Sequence, residues 1–356
     1  MPRLQQLELI VLSGGSSNLL EGNQWEIFIK KHLPFLSIFN LKFKIINIDR
    51  NNYNEKTILA QFSSSFWLNR NPSWYVAYNI DDFIIYTIPC FVPCTIKHSL
   101  LSILPHSTTL PVEQYFIYYN QINELELDSN NKSSYRYTNV QRLILSITTI
   151  DENIIDLSKV EYLCVQSLSW SLKKLFQIIK TSMTNLYHLK LDFNFSVIQL
   201  SDIDPLEQIR ILDLPQFSFS LNNNNNIDLS SLFPCVERLT IKIHSLNQMS
   251  HIIDQFIYLS SGSFHMMDDH NVISHMLTET DTIYKWLIEN TNRLATDRSF
   301  TYRLDSRSDI WVHLWITSES SPPKKVLKKT LPGEQFMELK EPNGRYGDSS
   351  RCCSLQ

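Results

Sequence analysis

Cys90-Phe-Val-Pro-Cys94 has the spacing of one half of a zinc site. No second close cysteine pair follows, and the segment runs beside an apolar stretch, so both read as buried cysteines. His265-Met-Met-Asp-Asp-His270, with His275, offers a mixed set of metal donors. No helical register puts those donors on one face, so the expectation there is a solvated loop and no metal. Nucleophilic catalysis needs a base held against an activated Ser or Cys. Ser13-Gly-Gly-Ser16 lacks the nucleophile-elbow pattern. The expectation is no catalytic residue and no cofactor, with a hydrolytic enzyme as a distant alternative.

The last four residues, Cys353-Ser-Leu-Gln356, carry a different chemistry. They fit the prenylation pattern, and the final glutamine is of the class that takes a farnesyl group. Cys352 beside them is a candidate for a second, palmitoyl chain. Lys324, Lys325, Lys328 and Lys329 would add attraction to anionic lipid. Cys353 and Cys352 are therefore the lipidation candidates. Against them stands Ser354, polar where the pattern prefers an aliphatic residue.

Composition narrows the classes. The chain has 356 residues and a formal net charge of −4. That is not the basic field of a nucleic-acid binder, so no nucleic-acid partner is expected. Only seven glycines occur, against roughly 7% of residues in typical proteins. Phosphate-cradling loops need glycine for close backbone approach, which argues against nucleotide sites. Leu7 to Leu12 is too short to be a signal peptide, and Glu8 interrupts it. No run of about 18 apolar residues occurs. The expected location is the cytoplasm or nucleus, with a membrane tether through the C terminus as the alternative. The sequons at Asn131 and Asn194 then read as chance matches.

Stepping outward from single residues, one pattern recurs: apolar, two residues, apolar, one residue, apolar. Its instances are Leu4/Leu7/Leu9, Leu36/Phe39/Leu41, Ile122/Leu125/Leu127, Val140/Leu143/Leu145, Val160/Leu163/Val165, Leu186/Leu189/Leu191, Ile209/Leu212/Leu214 and Val236/Leu239/Ile241. The last six start at 122, 140, 160, 186, 209 and 236, which are 18, 20, 26, 23 and 27 apart. Leucine-rich repeats run to roughly 20–29 residues.

On these residues the chain resembles the leucine-rich-repeat family, well over 119–245 and loosely over 1–45. Leu186 to Asn194 and Ile122 to Asn130 carry the longer pattern, whose asparagine in the family bonds backbone groups of neighbouring coils. Other units place Thr148, Leu168, Phe217 or His244 there, so that ladder is expected to be broken. The resemblance implies an α/β solenoid, horseshoe-like, with a parallel sheet on one side and helices on the other. Among such proteins it is most similar to the intracellular F-box class, which presents substrates to a ubiquitin ligase. No F-box is visible: Leu33-Pro-Phe-Leu36 has the opening Leu-Pro but not the sequel.

Helical periodicity fills the gaps between units. Leu172, Leu175, Phe176 and Ile179 form one apolar stripe. Leu246, Met249, Ile252, Ile253, Phe256 and Ile257 form another, and Trp25, Phe28 and Ile29 begin a third. Residues 1–60 are read as degenerate N-terminal repeats and 61–118 as an inserted β-rich hairpin or small sheet. The insertion holds Phe66-Trp-Leu68, Trp74 to Tyr78 and Phe83 to Ile88. Residues 119–260 are the main solenoid, 261–317 a capping region ending in a strand over Ile310 to Ile316, and 318–356 a disordered tail.

Within each strand the side chains alternate, so every second residue points outward. The outward strip is Glu124, Glu126, Asp128, Arg142, Ser146, Tyr162, Gln166, His188, Lys190, Asp192, Asp213, Arg238 and Lys242. Its acidic end and mixed middle suit a folded protein or peptide partner, with charge setting the register. The expected function is a protein-interaction scaffold, as the substrate-recognition part of an F-box-type ubiquitin-ligase adaptor in contact with the ligase core. The alternative is a lipid-anchored scaffold with no link to ubiquitin.

Overall fold

The computed structural model describes residues 4–15, 17–45, 55–69, 74–79, 83–98, 107–128, 136–147, 149–167, 170–193, 203–217, 228–267, 280–295, 300–305 and 310–316. The architecture is mixed α/β. The chain divides into two compact units, one from Met1–Gln141 with Ile150–Asp156, the other from Arg142–Thr149 with Leu157–Gly347.

In the first unit, β1 (Gln6–Gly15) and β2 (Ile38–Ile45) lie parallel with α1 (Gly22–His32) between them in sequence. Leu7 faces Phe39 and Leu9 faces Leu41, so the two repeat-like triplets pair in register. α2 (Glu55–Gln61) and α3 (Ser65–Leu68) follow. Then come β3 (Tyr75–Asn79) and β4 (Ile84–Ile88), an antiparallel pair. The sheet runs β1-β2-β4-β3-β6, ending on β6 (Ser107–Thr108). β4 pairs with β2, so the expected boundary at residues 60 and 61 falls between strands of one sheet.

The core of this unit is aromatic, because Phe39, Phe62, Phe66, Trp67 and Trp74 bury their rings together. Phe66-Trp-Leu68 departs from the β-rich expectation by forming the helical turn α3. A strand would send Phe66 and Trp67 to opposite faces, whereas both are buried in one cluster. At Gly22 a Cβ would stand 2.5 Å from the Gln61 carbonyl oxygen, so glycine lets α1 approach the end of α2. Farther along, β5 (Thr95–His98) pairs in parallel with β7 (Glu124–Leu127), with α4 (Phe116–Tyr119) between them in sequence.

In the second unit six strands lie parallel in chain order. They are β8 (Arg142–Leu145), β9 (Tyr162–Val165), β10 (His188–Leu191), β11 (Ile211–Leu214), β12 (Arg238–Ile243) and β13 (Ser261–Met266). The leucines stand in one row: Leu143 faces Leu163, then Leu189, Leu212 and Leu239. All of them are buried, as are Leu145, Leu191 and Leu214 of the next row. In the first unit Leu125 and Leu127 of β7 are buried too.

The connections are less regular than expected. α5 (Leu172–Ser182) buries Leu172, Leu175, Phe176 and Ile179 along one stripe. α7 (Leu246–Gln255) is fixed at its start by Ser245, which accepts from the Gln248 N–H, while Gln248 Oε1 accepts from the His244 N–H. Its stripe ends at Phe256, and Ile257 beyond the helix is 64% exposed. Among the described residues, the connection between β8 and β9 holds a 3-10 turn, Leu157–Lys159, and that between β11 and β12 the single turn α6 (Leu229–Leu232).

The sheet also continues past its expected end. β13 takes the Leu259/Gly262/Phe264 positions in register with Val236/Leu239/Ile241, and Gly262 stands where a leucine belongs. The Phe264 ring fills that space: a Cβ on Gly262 would meet it at 2.6 Å. The edge is then closed by β15 (Ile310–Ile316) and β14 (Phe300–Asp305), antiparallel in the order β13-β15-β14. α8 (Thr280–Asn290) and α9 (Asn292–Ala295) precede them in sequence. Asp254 of α7 accepts from the N–H groups of Asn292 and Arg293 and so caps α9.

Candidate binding face

The outward side chains of the second unit form three rows across the sheet. The first runs Arg142, Tyr162, His188, Ile211, Arg238, Ser261 and Trp315. Neighbouring members interlock. The Arg142 guanidinium sits over the Tyr162 ring at 4.2 Å, a cation–π contact. Tyr162 meets the His188 ring edge-on, with centroids 4.5 Å apart. His188 Nε2 lies 2.8 Å from Asp213 Oδ2 of the next strand. An ionised carboxylate only accepts, so the imidazole N–H donates.

The second row holds Cys164, Lys190 and Asp213. Cys164 lies at an outward position yet is 3% exposed. Burial raises the pKa of Tyr162 and of Cys164 above their ordinary values. A thiol held protonated in this way is a poor nucleophile. In the third row, Ser146 donates to Gln166 Oε1 at 2.8 Å, and Asp192 lies 3.8 Å from Lys190. Lys242 reaches Gln216 Oε1 at 3.4 Å.

The expected strip is brought together in part. Arg142, Gln166 and Arg238 are exposed, and Ser146, Tyr162, His188, Lys190, Asp192, Asp213 and Lys242 are half-buried on one face of one unit. Glu124, Glu126 and Asp128 belong to the other unit, on and just beyond β7. They are half-buried rather than solvated, and Asp128 Oδ1 is shielded from solvent altogether. Cys90 and Cys94 are half-buried rather than buried. No group of three metal-binding side chains occurs among the described residues. Asp268, Asp269, His270 and His275 lie outside the described residues, as do Asn130, Asn131, Asn194, Thr148, Leu168, the tail 318–356 and the lipidation candidates Cys352 and Cys353. No helix among the described residues is long and apolar enough to cross a membrane.

The outward face continues beyond the strip expected from sequence, onto β13 and β15. His265 stacks flat on Trp311, with centroids 4.6 Å apart and planes 10° off parallel. Trp311, His313 and Trp315 follow one another along β15 with their rings near parallel. The signal was present in Ile310-Trp-Val-His-Leu-Trp-Ile316. Its aliphatic residues alternate with aromatic ones, and the aliphatic set is buried. Comparison of the chain with protein-family models, curated proteins and solved structures gives no match to any of them.

Proposed function

We propose that the chain is a non-enzymatic scaffold of leucine-rich-repeat type that binds a folded protein or peptide on the outward face of β8 to β15. The observation that carries this reading is the linked series Arg142–Tyr162–His188–Asp213. It spans four neighbouring strands and stays partly open to solvent. Side chains already held by their neighbours lose less freedom on binding, which favours affinity. The solenoid part of the reading is supported by the common register of the leucine row over five neighbouring parallel strands, β8 to β12. Recruitment to a ubiquitin-ligase core is part of the proposal through the family resemblance alone.

The test is recovery of partners by the tagged full chain from cells, compared among wild type, Arg142→Glu, Gln166→Arg and Arg238→Glu. All three residues are exposed, so melting temperature should hold. The reading expects at least one reversal to cut recovery of a specific partner by about tenfold. Unchanged recovery in all three would overturn it. Ligase-core subunits among the recovered proteins would support the ubiquitin branch, and their absence would remove it.

A further inference from the structure

We infer that β13 is the floor of a trough that takes an extended peptide in which acidic and apolar residues alternate. The inference rests on the scaffold reading and adds the chemistry of the partner. Across β12, β13 and β15 the register sets Arg238 beside Ser261 beside Trp315, and Thr240 beside Ser263 beside His313. The serines are short, while Arg238 and Lys242 on one side and Trp311, His313 and Trp315 on the other are long. One wall is therefore basic and the other aromatic, about 10 Å apart at two inter-strand spacings. Ser263 and His313 share a 3.0 Å hydrogen bond, which holds that imidazole toward the floor. At the next step along, between Lys242 and Trp311, His265 stacks on Trp311.

Charge identifies the occupant. The other cations of this face have partners: the Arg142 guanidinium sits over the Tyr162 ring, Lys190 lies near Asp192, and Arg303 lies 4.0 Å from Asp305. Among the described residues Arg238 makes no ion pair, and Lys242 reaches only a neutral glutamine. These two cations stand four residues apart on β12, about 13 Å at ~3.3 Å per residue. Trp311 and Trp315 stand four apart on β15, and Trp315 is 45% exposed. An extended peptide sends alternate side chains to opposite sides. Carboxylates at every second position then meet the basic wall, and apolar side chains between them meet the tryptophans.

The probe is a fluorescein-labelled peptide of three Glu-Leu repeats, titrated with the full chain and followed by fluorescence anisotropy. Saturable binding that weakens as salt rises is expected. Arg238→Glu with Lys242→Glu should weaken it at least about tenfold, and Trp315→Ala about fivefold or more. Should Trp315→Ala fail to fold, the double charge variant still reads the basic wall. Equal binding of a Lys-Leu peptide, or no loss in the double variant, overturns the inference. Self-association abolished by the same double variant would assign the trough to a second copy of the chain and also overturn it. Partner recovery lost in Arg142→Glu or Gln166→Arg but intact in Arg238→Glu with Lys242→Glu keeps the scaffold reading and removes the trough.

Discussion

His188 on β10 donates to Asp213 on β11 across 2.8 Å, and the pair stands at the centre of the outward face with both side chains about three-quarters covered. Screening by the remaining solvent keeps such a pair weak, on the order of 0.5–1 kcal/mol. A double-mutant cycle of His188→Ala and Asp213→Ala, read by urea denaturation, should give a coupling of that size. Strict additivity would show that the two groups do not act together.

Leu189 lies in the middle of the buried leucine row and is fully covered. Leu189→Ala removes buried methyl groups and leaves a cavity, at a cost of about 2–5 kcal/mol. The check is a fall in the denaturation midpoint at unchanged slope. A loss below about 1 kcal/mol would place the residue in a site that collapses freely.

Gly262 and Phe264 form a complementary pair, because the phenyl ring occupies the space of a side chain at 262. Gly262→Ala drives a methyl group against a fully buried ring and should destabilise by roughly 1–3 kcal/mol. Phe264→Leu, added to Gly262→Ala, should make the methyl group less costly than it is in the Phe264 background. If the two changes simply add, the ring is not what excludes a side chain at 262.

Asp254 ties the start of α9 to α7 through the N–H groups of Asn292 and Arg293. Asp254→Ala leaves those donors without their acceptor and should cost about 1 kcal/mol. Amide hydrogen exchange of α9 should quicken with little change in β8 to β12. Uniform loss of protection over the whole unit would contradict a local cap.

What could be read from the sequence follows its periodicities. Leu143, Leu163, Leu189, Leu212 and Leu239 recur at fixed offsets from their strands, and all five are core residues in one register. The stripe from Leu172 to Ile179 gives α5 for the same reason. β13 escaped detection because Gly262 replaces the diagnostic leucine and Phe264 supplies the missing volume from the next inward position. The pairing of β2 with β4 was not legible, since nothing local links Lys42 to Tyr86. On the outward face, position was legible but exposure was not. Cys164 stands at an outward position and is buried all the same, and Trp311, His313 and Trp315 join the face only because β15 pairs against β13.

Partners are proposed to contact the outward face of β8 to β15, and side-chain footprinting of the full chain with a recovered partner reads that contact most directly. Hydroxyl-radical labelling of Tyr162, His188 and Trp315 should fall several-fold in the complex. Tyr258, exposed in the connection between α7 and β13, should label as in the free chain. Unchanged labelling of the three face residues, with protection at Tyr258, would contradict the account.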